Sequence, residues 1–164
     1  MTNKPRRIGT EAETAVVNQL LPYWPKVERR QLHGSEDRGD IINTEPFTIE
    51  VKGGKYAREI HSELLLEFLQ QTETERLNAG TAFGALITTR IGYGPKRANR
   101  WWVWMPVDQF VRLSRGTYVP VESFPVRLEL GDFLPMIADL GYTVDAPWQD
   151  PTEAAQELGL VDGL

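Results

Sequence analysis

A glutamate and a lysine stand two positions apart in Glu50-Val51-Lys52, within a segment that alternates between polar and apolar residues. If the segment from Phe47 to Lys52 is a strand, its period of two places Glu50 and Lys52 on the same face. Hydrolysis of a phosphodiester needs a metal ion that stabilises the developing charge and lowers the pKa of the attacking water, and a cation near the reacting oxygens. A carboxylate beside an ammonium group suits that chemistry.

Asp40 is the second carboxylate of the predicted site. It follows a polar, glycine-containing loop and precedes the apolar pair Ile41-Ile42, so we expect it at the start of the strand that pairs with the Glu50 strand in a hairpin. Adjacent strands lie roughly 5 Å apart, which lets both carboxylates reach one ion. Asp37 is an alternative ligand, but Asp40 is favoured because Asp37 falls within the loop.

Glu13 is a third carboxylate with two interpretations. Thr10 and Glu13 match a capping box for a helix predicted from Thr10 to Leu21, which gives Glu13 a structural role. Glu13 also begins an apolar stripe that continues through Val16 and Leu20, and a carboxylate on such a stripe needs a cation or a donor. A metal ion would satisfy that need.

Composition restricts the kind of metal site and of partner. The 164 residues contain no cysteine and two histidines, so a metal must be held mainly by oxygen, which favours Mg²⁺, with Mn²⁺ as a substitute. The net charge of −5 is unevenly distributed: residues 1–120 contain 17 Lys and Arg against 14 Asp and Glu, whereas residues 121–164 contain 1 against 9. The basic side chains of the first segment are thus available for phosphate.

The remaining pattern predicts one α/β domain over residues 1–144, followed by an acidic tail at 145–164. The Phe47 strand is predicted to bury one face in the core. Further strands are predicted at 27–32, 83–88 and 101–105, and further helices at 62–77, 108–113 and 132–140. The sequence has no transmembrane or signal-peptide pattern, which predicts a cytoplasmic protein without membrane contact.

A tryptophan-rich strand follows a basic, glycine-rich loop at 90–100. Trp101 and Val103 share one face of this strand, while Trp102 and Trp104 share the other. One face belongs to the core. The other pair could stack on bases, although a protein interface or a covering helix is the favoured interpretation.

The order of these motifs resembles the archaeal-type Holliday junction resolvases and their phage-encoded relatives in the PD-(D/E)XK nuclease superfamily. The similarity spans about residues 6–115, with one departure, because Gly39 stands where the superfamily usually has proline. The motifs that carry it are Gly9 to Glu13, Gly39-Asp40-Ile41, Glu50-Val51-Lys52 and the pair Gln70-Gln71. The resemblance implies a restriction-endonuclease-like core, in which a mixed β-sheet is flanked by helices.

The resemblance also implies the roles of the site residues. Asp40, Glu50 and the Val51 carbonyl would hold one or two Mg²⁺ ions, Glu13 would complete the site, and Lys52 would orient or deprotonate the water. Cleavage would leave a 5′-phosphate and a 3′-hydroxyl.

Two further residues match the family by position. Gln71 resembles a catalytic glutamine of the phage members, and Ser35 falls in a loop whose serine assists at the scissile phosphate in the archaeal enzymes. His33, in the same loop, is interpreted as a surface residue rather than a base.

Basic residues around the motifs are the predicted phosphate contacts, although each one alone could be an ordinary surface charge. With Ser35, the predicted DNA-binding set is Arg6, Arg7, Arg29, Arg30, Arg38, Lys55, Arg58, Arg90, Lys96, Arg97 and Arg100.

The predicted function is Mg²⁺-dependent endonucleolytic cleavage of four-way DNA junctions in recombination, repair or phage DNA processing, inside the host cytoplasm if the protein is phage-encoded. A homodimer is expected, because two opposed strands of a two-fold symmetric junction are cut. Two alternatives are another PD-(D/E)XK endonuclease or exonuclease, and a non-catalytic DNA-binding module.

Overall fold

Six strands form one mixed sheet in which the spatial order of the strands follows their order along the chain. The structure is a computed structural model that describes residues 4–31, 38–116 and 124–144. The strands are β1 (Glu28–Arg29), β2 (Ile41–Ile42), β3 (Phe47–Lys52), β4 (Phe83–Thr88), β5 (Trp102–Pro106) and β6 (Pro125–Glu129). The pairing of β3 with β4 is parallel, and the other pairings are antiparallel. The predicted α/β class with a mixed sheet is confirmed.

Helices cover both faces of this sheet. They are α1 (Lys4–Leu20), α2 (Lys55–Arg58), α3 (Ser62–Ala79), α4 (Val107–Arg115) and α5 (Leu130–Asp139), with a 3₁₀ helix at Pro95–Arg100. α1 and α5 supply Val16 and Phe133 to the core that surrounds Ile49 and Val103. On the other face α3 approaches β4 closely: a Cβ at Gly84 would lie 3.3 Å from Thr72 Cγ2. None of the helices in the described ranges is both long and apolar enough to span a bilayer.

β3 is buried on both faces, which corrects the expectation that only one face belongs to the core. Phe47, Ile49 and Val51 pack in the main core as predicted, but Thr48 and Glu50 are also buried. The cause is α3, which covers the polar face of the strand. The catalytic candidates of β3 therefore lie beneath a helix, where a charge needs partners.

The capping-box interpretation of Thr10 and Glu13 is wrong, because α1 begins at Lys4 rather than at Thr10. Thr10 lies within the helix, and its carbonyl accepts a hydrogen bond from Thr14 Oγ1 at 2.7 Å. Pro5 is compatible with a helix that starts here, since the first turn does not need its missing N–H.

Other boundaries also differ from the sequence pattern. Strand β6 was not predicted, and the predicted strand at 27–32 is limited, among the described residues, to Glu28–Arg29. Within α3, Thr72 and Glu75 are buried against the sheet, whereas Leu66 and Leu77 are exposed. The hairpin, the strand at 83–88 and a helix over 62–77 are confirmed.

Candidate active site

The carboxylate of Asp40 is fixed against the end of β3. The Asp40 amide donates to the Ile49 carbonyl at 3.0 Å, and the Val51 amide donates to Asp40 Oδ2 at 2.8 Å. The N–H and C=O of a strand residue point toward the same neighbouring strand, so the Val51 carbonyl also faces the side of Asp40. β2 and β3 thus bring together two of the predicted oxygen donors.

Glu50 and Lys52 lie on the opposite face of β3 from Ile49, as the period of two predicted. Lys52 Nζ donates to Glu50 Oε1 at 2.6 Å, and the ammonium group lies 5.2 Å from the centroid of the Phe68 ring on α3. The Glu50 side chain is almost fully buried. Asp40, Glu50 and Lys52 therefore form one cluster at the carboxyl end of β3.

α3 adds Gln71 and Glu75 to this cluster. Gln71 Nε2 donates to Glu75 Oε1 at 2.8 Å and to Glu50 Oε1 at 3.5 Å. Glu75 is buried and contacts the Glu50 carboxyl group. Glu75 was not predicted from the sequence, although its position one helical turn after Gln71 was a usable signal.

Burial perturbs the acids of the cluster strongly. The pKa of Asp40 is raised to about 8, mainly by burial and then by the negative charge of Glu50, while the hydrogen bond from the Val51 amide opposes the change. Burial also raises the pKa of Glu50 to about 8, with a contribution from the contact with the Glu75 carboxyl group and opposition from Lys52. Acids in this environment gain from a nearby cation.

Lys52 is the cation that the cluster already contains. Burial by itself would lower the pKa of this lysine, but the hydrogen bond and charge of Glu50, together with the charges of Asp40 and Glu75, outweigh that effect and the pKa is raised. Lys52 therefore remains an ammonium group and a hydrogen-bond donor at neutral pH.

Glu13 lies beside the cluster on α1 and is held by an arginine. Arg29 Nε donates to Glu13 Oε2 at 2.7 Å, and Arg29 Nη2 to Thr10 Oγ1 at 3.4 Å. The helix reaches this position because Gly53 follows β3: a Cβ there would lie 3.0 Å from the Cβ of Ala12. The charge of Glu13 contributes to the raised pKa of Asp40, which places Glu13 within electrostatic range of the site.

A groove of about 650 Å³ opens between α1 and the β1–β2 pair, next to Asp40. It combines two acids with three arginines, and its lining consists of Arg6, Gly9, Thr10, Glu13, Arg29, Arg30, Gln31 and Asp40. Arg30 is oriented by its bond to the Gly39 carbonyl at 2.8 Å. This lining suits a phosphate: a metal ion held by the carboxylates would also bind the phosphate, and the guanidinium groups would donate hydrogen bonds to it.

The other predicted phosphate contacts lie in four places. Arg38 lines a second groove, of about 720 Å³, which also includes Arg30. Lys55 and Arg58 are exposed on α2, directly after the site strand, and the exposed Arg7 pairs with Glu11 at 3.6 Å. The basic loop places the remaining residues near Tyr93 and α1: Arg90, Lys96, Arg97 and Arg100. Ser35 and His33, with the alternative ligand Asp37, lie outside the described residues.

The donor types fit Mg²⁺, because carboxylate and carbonyl oxygens are the ligands that this ion prefers. Asp40, Glu50 and the Val51 carbonyl supply them. Within residues 4–31, 38–116 and 124–144, however, no three acidic or histidine side chains converge as a metal-holding group. In this arrangement Glu13 is bound to Arg29 and Glu50 to Lys52.

Comparison of the chain with protein-family models, with curated proteins and with solved structures gives no match. A function for this chain is therefore inferred from the site geometry and from the motif resemblance.

Proposed function

We propose that this protein is a Mg²⁺-dependent DNA endonuclease of the PD-(D/E)XK type with branched DNA as its substrate. The observation that carries the proposal is the cluster of Asp40, Glu50 and Lys52 at the carboxyl end of β3, in which burial raises the pKa of both acids to about 8. Glu50 is buried, Asp40 is half-buried and lines the arginine-lined groove, and the two carboxylates repel each other, which is the character of a cation site that faces phosphate.

Asp40, Glu50 and the Val51 carbonyl are the residues that would hold the ion, with Glu13 available once it exchanges its bond to Arg29. The ion supplies a lowered pKa for bound water and stabilisation of charge on the phosphate. Lys52 donates a hydrogen bond to Glu50 and keeps two further N–H donors, with which it orients the attacking water. Gln71 donates to Glu50 and Glu75 and thereby restricts the Glu50 carboxylate.

The lining and the open shape of the groove favour a macromolecular anion as the ligand over a small anion. Arg6, Arg29 and Arg30 line it together, and it opens to solvent along the surface of α1. A polymer with regularly spaced phosphates would contact several of these guanidinium groups at once.

The choice of a four-way junction depends on the motif resemblance. The same resemblance supports a homodimer, whose two sites would cut opposed strands symmetrically. We place the reaction in the cytoplasm, where recombining or replicating DNA would be met, and in the host cytoplasm if the protein is phage-encoded.

The test incubates the protein with a labelled four-way junction, a fork, a linear duplex and single strands, each in Mg²⁺ or in EDTA. Paired symmetric nicks in the junction with Mg²⁺ alone are expected. If linear duplex is cut as readily as the junction, the protein is a general endonuclease rather than a junction-selective one. Binding without any cutting would favour a non-catalytic DNA-binding module, in which the Glu13–Arg29 and Glu50–Lys52 pairs are purely structural.

A further inference from the structure

A ladder of arginines and aromatic rings covers the sheet beside the candidate site. The guanidinium of Arg90 lies 3.9 Å from the Trp102 ring centroid, and that of Arg127 lies 4.0 Å from it. Arg90 also lies 4.6 Å from the Tyr93 centroid, whereas Arg127 lies 5.3 Å from that of Trp104. Because Arg90 and Arg127 each contact two rings and both contact Trp102, the ladder runs in the order Tyr93, Arg90, Trp102, Arg127, Trp104.

In this ladder the Trp102 ring, which could otherwise stack on bases, already contacts two guanidinium groups. Trp102 has guanidinium groups against it on the Tyr93 side and on the Trp104 side. Trp104 is held by its own Nε1, which donates to Thr88 Oγ1 at 3.0 Å. Stacking engages the planes of the guanidinium groups but leaves N–H donors at their edges, which is the geometry that binds phosphate oxygens.

The ladder carries excess positive charge. Glu129 accepts a hydrogen bond from Arg90 at 2.8 Å and forms an ion pair with Arg100 at 3.0 Å, which orients Arg90 and partly neutralises these two residues. Arg127 is exposed, and among the described residues no carboxylate lies within ion-pairing distance of it. Arg127 is also the one Lys or Arg within residues 121–164, a segment with nine acids. The single cation of this acidic segment thus lies on the basic ladder.

The sheet register relates the ladder to the site. Lys52 is opposite Thr88, and Thr88 is opposite Trp102, so the ladder shares the Lys52 face two strands away, or about 10 Å across the sheet. The arginine-lined groove lies on the other side of β3, toward β1. The register places Arg29 opposite Ile41 and Ile41 opposite Ile49, so the groove lies on the α1 face of the sheet. The ladder lies on the α3 face, and the two basic surfaces flank the candidate site from opposite faces.

We propose that the Arg90–Trp102–Arg127 stack is a second binding surface for the sugar–phosphate backbone of the DNA, on the side of the site opposite the Arg6–Arg29–Arg30 groove. The inference rests on the proposed function and adds to it a sequence-independent contact that reads phosphates rather than bases. Arg127 supplies the free charge, and Trp102 holds its guanidinium plane in position.

The experiment measures binding of labelled junctions and duplexes of two unrelated sequences by fluorescence anisotropy in EDTA, over a range of salt concentrations. Arg127→Gln is expected to weaken binding roughly tenfold for both sequences, as for the loss of one charge-assisted hydrogen bond. The slope of log K against log salt is expected to decrease by about one. Arg127→Lys should keep the salt slope and lose part of the affinity, because lysine lacks the planar stack.

Arg115→Gln, at another exposed arginine, is the matched control and should bind like the wild type. Binding by Arg127→Gln equal to that of this control would overturn the inference and leave the nuclease proposal standing. Wild-type affinity in Arg127→Lys would overturn the role of the stack. If Arg127→Gln loses affinity but the wild type shows no Mg²⁺-dependent cutting, the binding surface is supported and the nuclease proposal is rejected. A wild type that binds no DNA would overturn both.

Discussion

The carboxylate of Asp40 accepts a hydrogen bond from the backbone amide of Val51 at 2.8 Å, across the hairpin that joins β2 to β3. This bond holds a half-buried acid against the strand that carries Glu50 and Lys52, although desolvation raises the pKa of Asp40 to about 8. The Asp40 amide also donates to the Ile49 carbonyl, so the pairing of β2 with β3 fixes the position of Asp40. Strand pairing therefore explains why Asp40, rather than a loop residue, faces the site.

Replacement of Asp40 by Asn should abolish Mg²⁺-dependent cutting and preserve or strengthen junction binding. The amide oxygen of Asn still accepts from Val51, but the substitution removes an ion ligand and a charge that repels phosphate. Nicking and binding assays on one junction check both parts. Asp139→Asn, at an exposed position of α5, should cut like the wild type. Cutting by Asp40→Asn would show that the site is misassigned.

Folding stability should decrease as the pH rises from about 4 to about 8. In the unfolded chain Asp40 and Glu50 ionise near their ordinary pKa values of 3.8 and 4.5, whereas in the folded protein both ionise near 8. The folded state therefore binds more protons between these limits, and raising the pH favours unfolding. Urea denaturation at several pH values measures the free energy of unfolding.

The double substitution Asp40→Asn with Glu50→Gln should flatten this pH dependence, because neither side chain then titrates. Mg²⁺ should stabilise the wild type more at pH 8 than at pH 5.5, since the ion binds the ionised carboxylates, and should leave the double variant unchanged. Equal stabilisation of both proteins by Mg²⁺ would argue against an ion at these acids.

Replacement of Glu75 by Gln should lower the pKa of Glu50, because it removes the carboxyl group that Glu50 contacts. The acid limb of the pH–rate profile should then shift to lower pH, and stability at pH 8 should increase. Glu67→Gln, on the exposed side of the same helix, is the control. An unshifted profile would show that Glu75 does not influence Glu50 during the reaction.

Replacement of Gly53 by Ala should displace α1 and lower the free energy of unfolding by about 1–3 kcal/mol, the usual cost of overpacking. The added Cβ would lie 3.0 Å from Ala12 Cβ. Gly94→Ala is a suitable control, since a Cβ at Gly94 meets nothing within 4 Å and its φ is −72°. Because α1 carries Glu13, cutting by Gly53→Ala should also decrease. A wild-type melting temperature for this variant would contradict the packing argument.

The elements with strong local periodicity were predictable from sequence. The alternation from Phe47 to Lys52 determined β3 and placed Glu50 and Lys52 on one face, and the apolar run at 83–88 determined β4. These assignments held because side-chain direction in a strand depends only on position along the chain. By contrast, the start of α1 was misjudged, since Thr10 and Glu13 match a capping box inside a helix that had already begun.

The tertiary structure decided which groups meet across long sequence separations. Sequence by itself determined that Asp40, Glu50 and Lys52 belong to one hairpin. Only packing decided that α3 buries the polar face of β3, that Glu75 contacts Glu50, and that Arg127 on an unpredicted strand stacks on Trp102. The reason is physical: local periodicity encodes the direction of a side chain, whereas its neighbours, and with them its burial and its pKa, depend on which elements pack together.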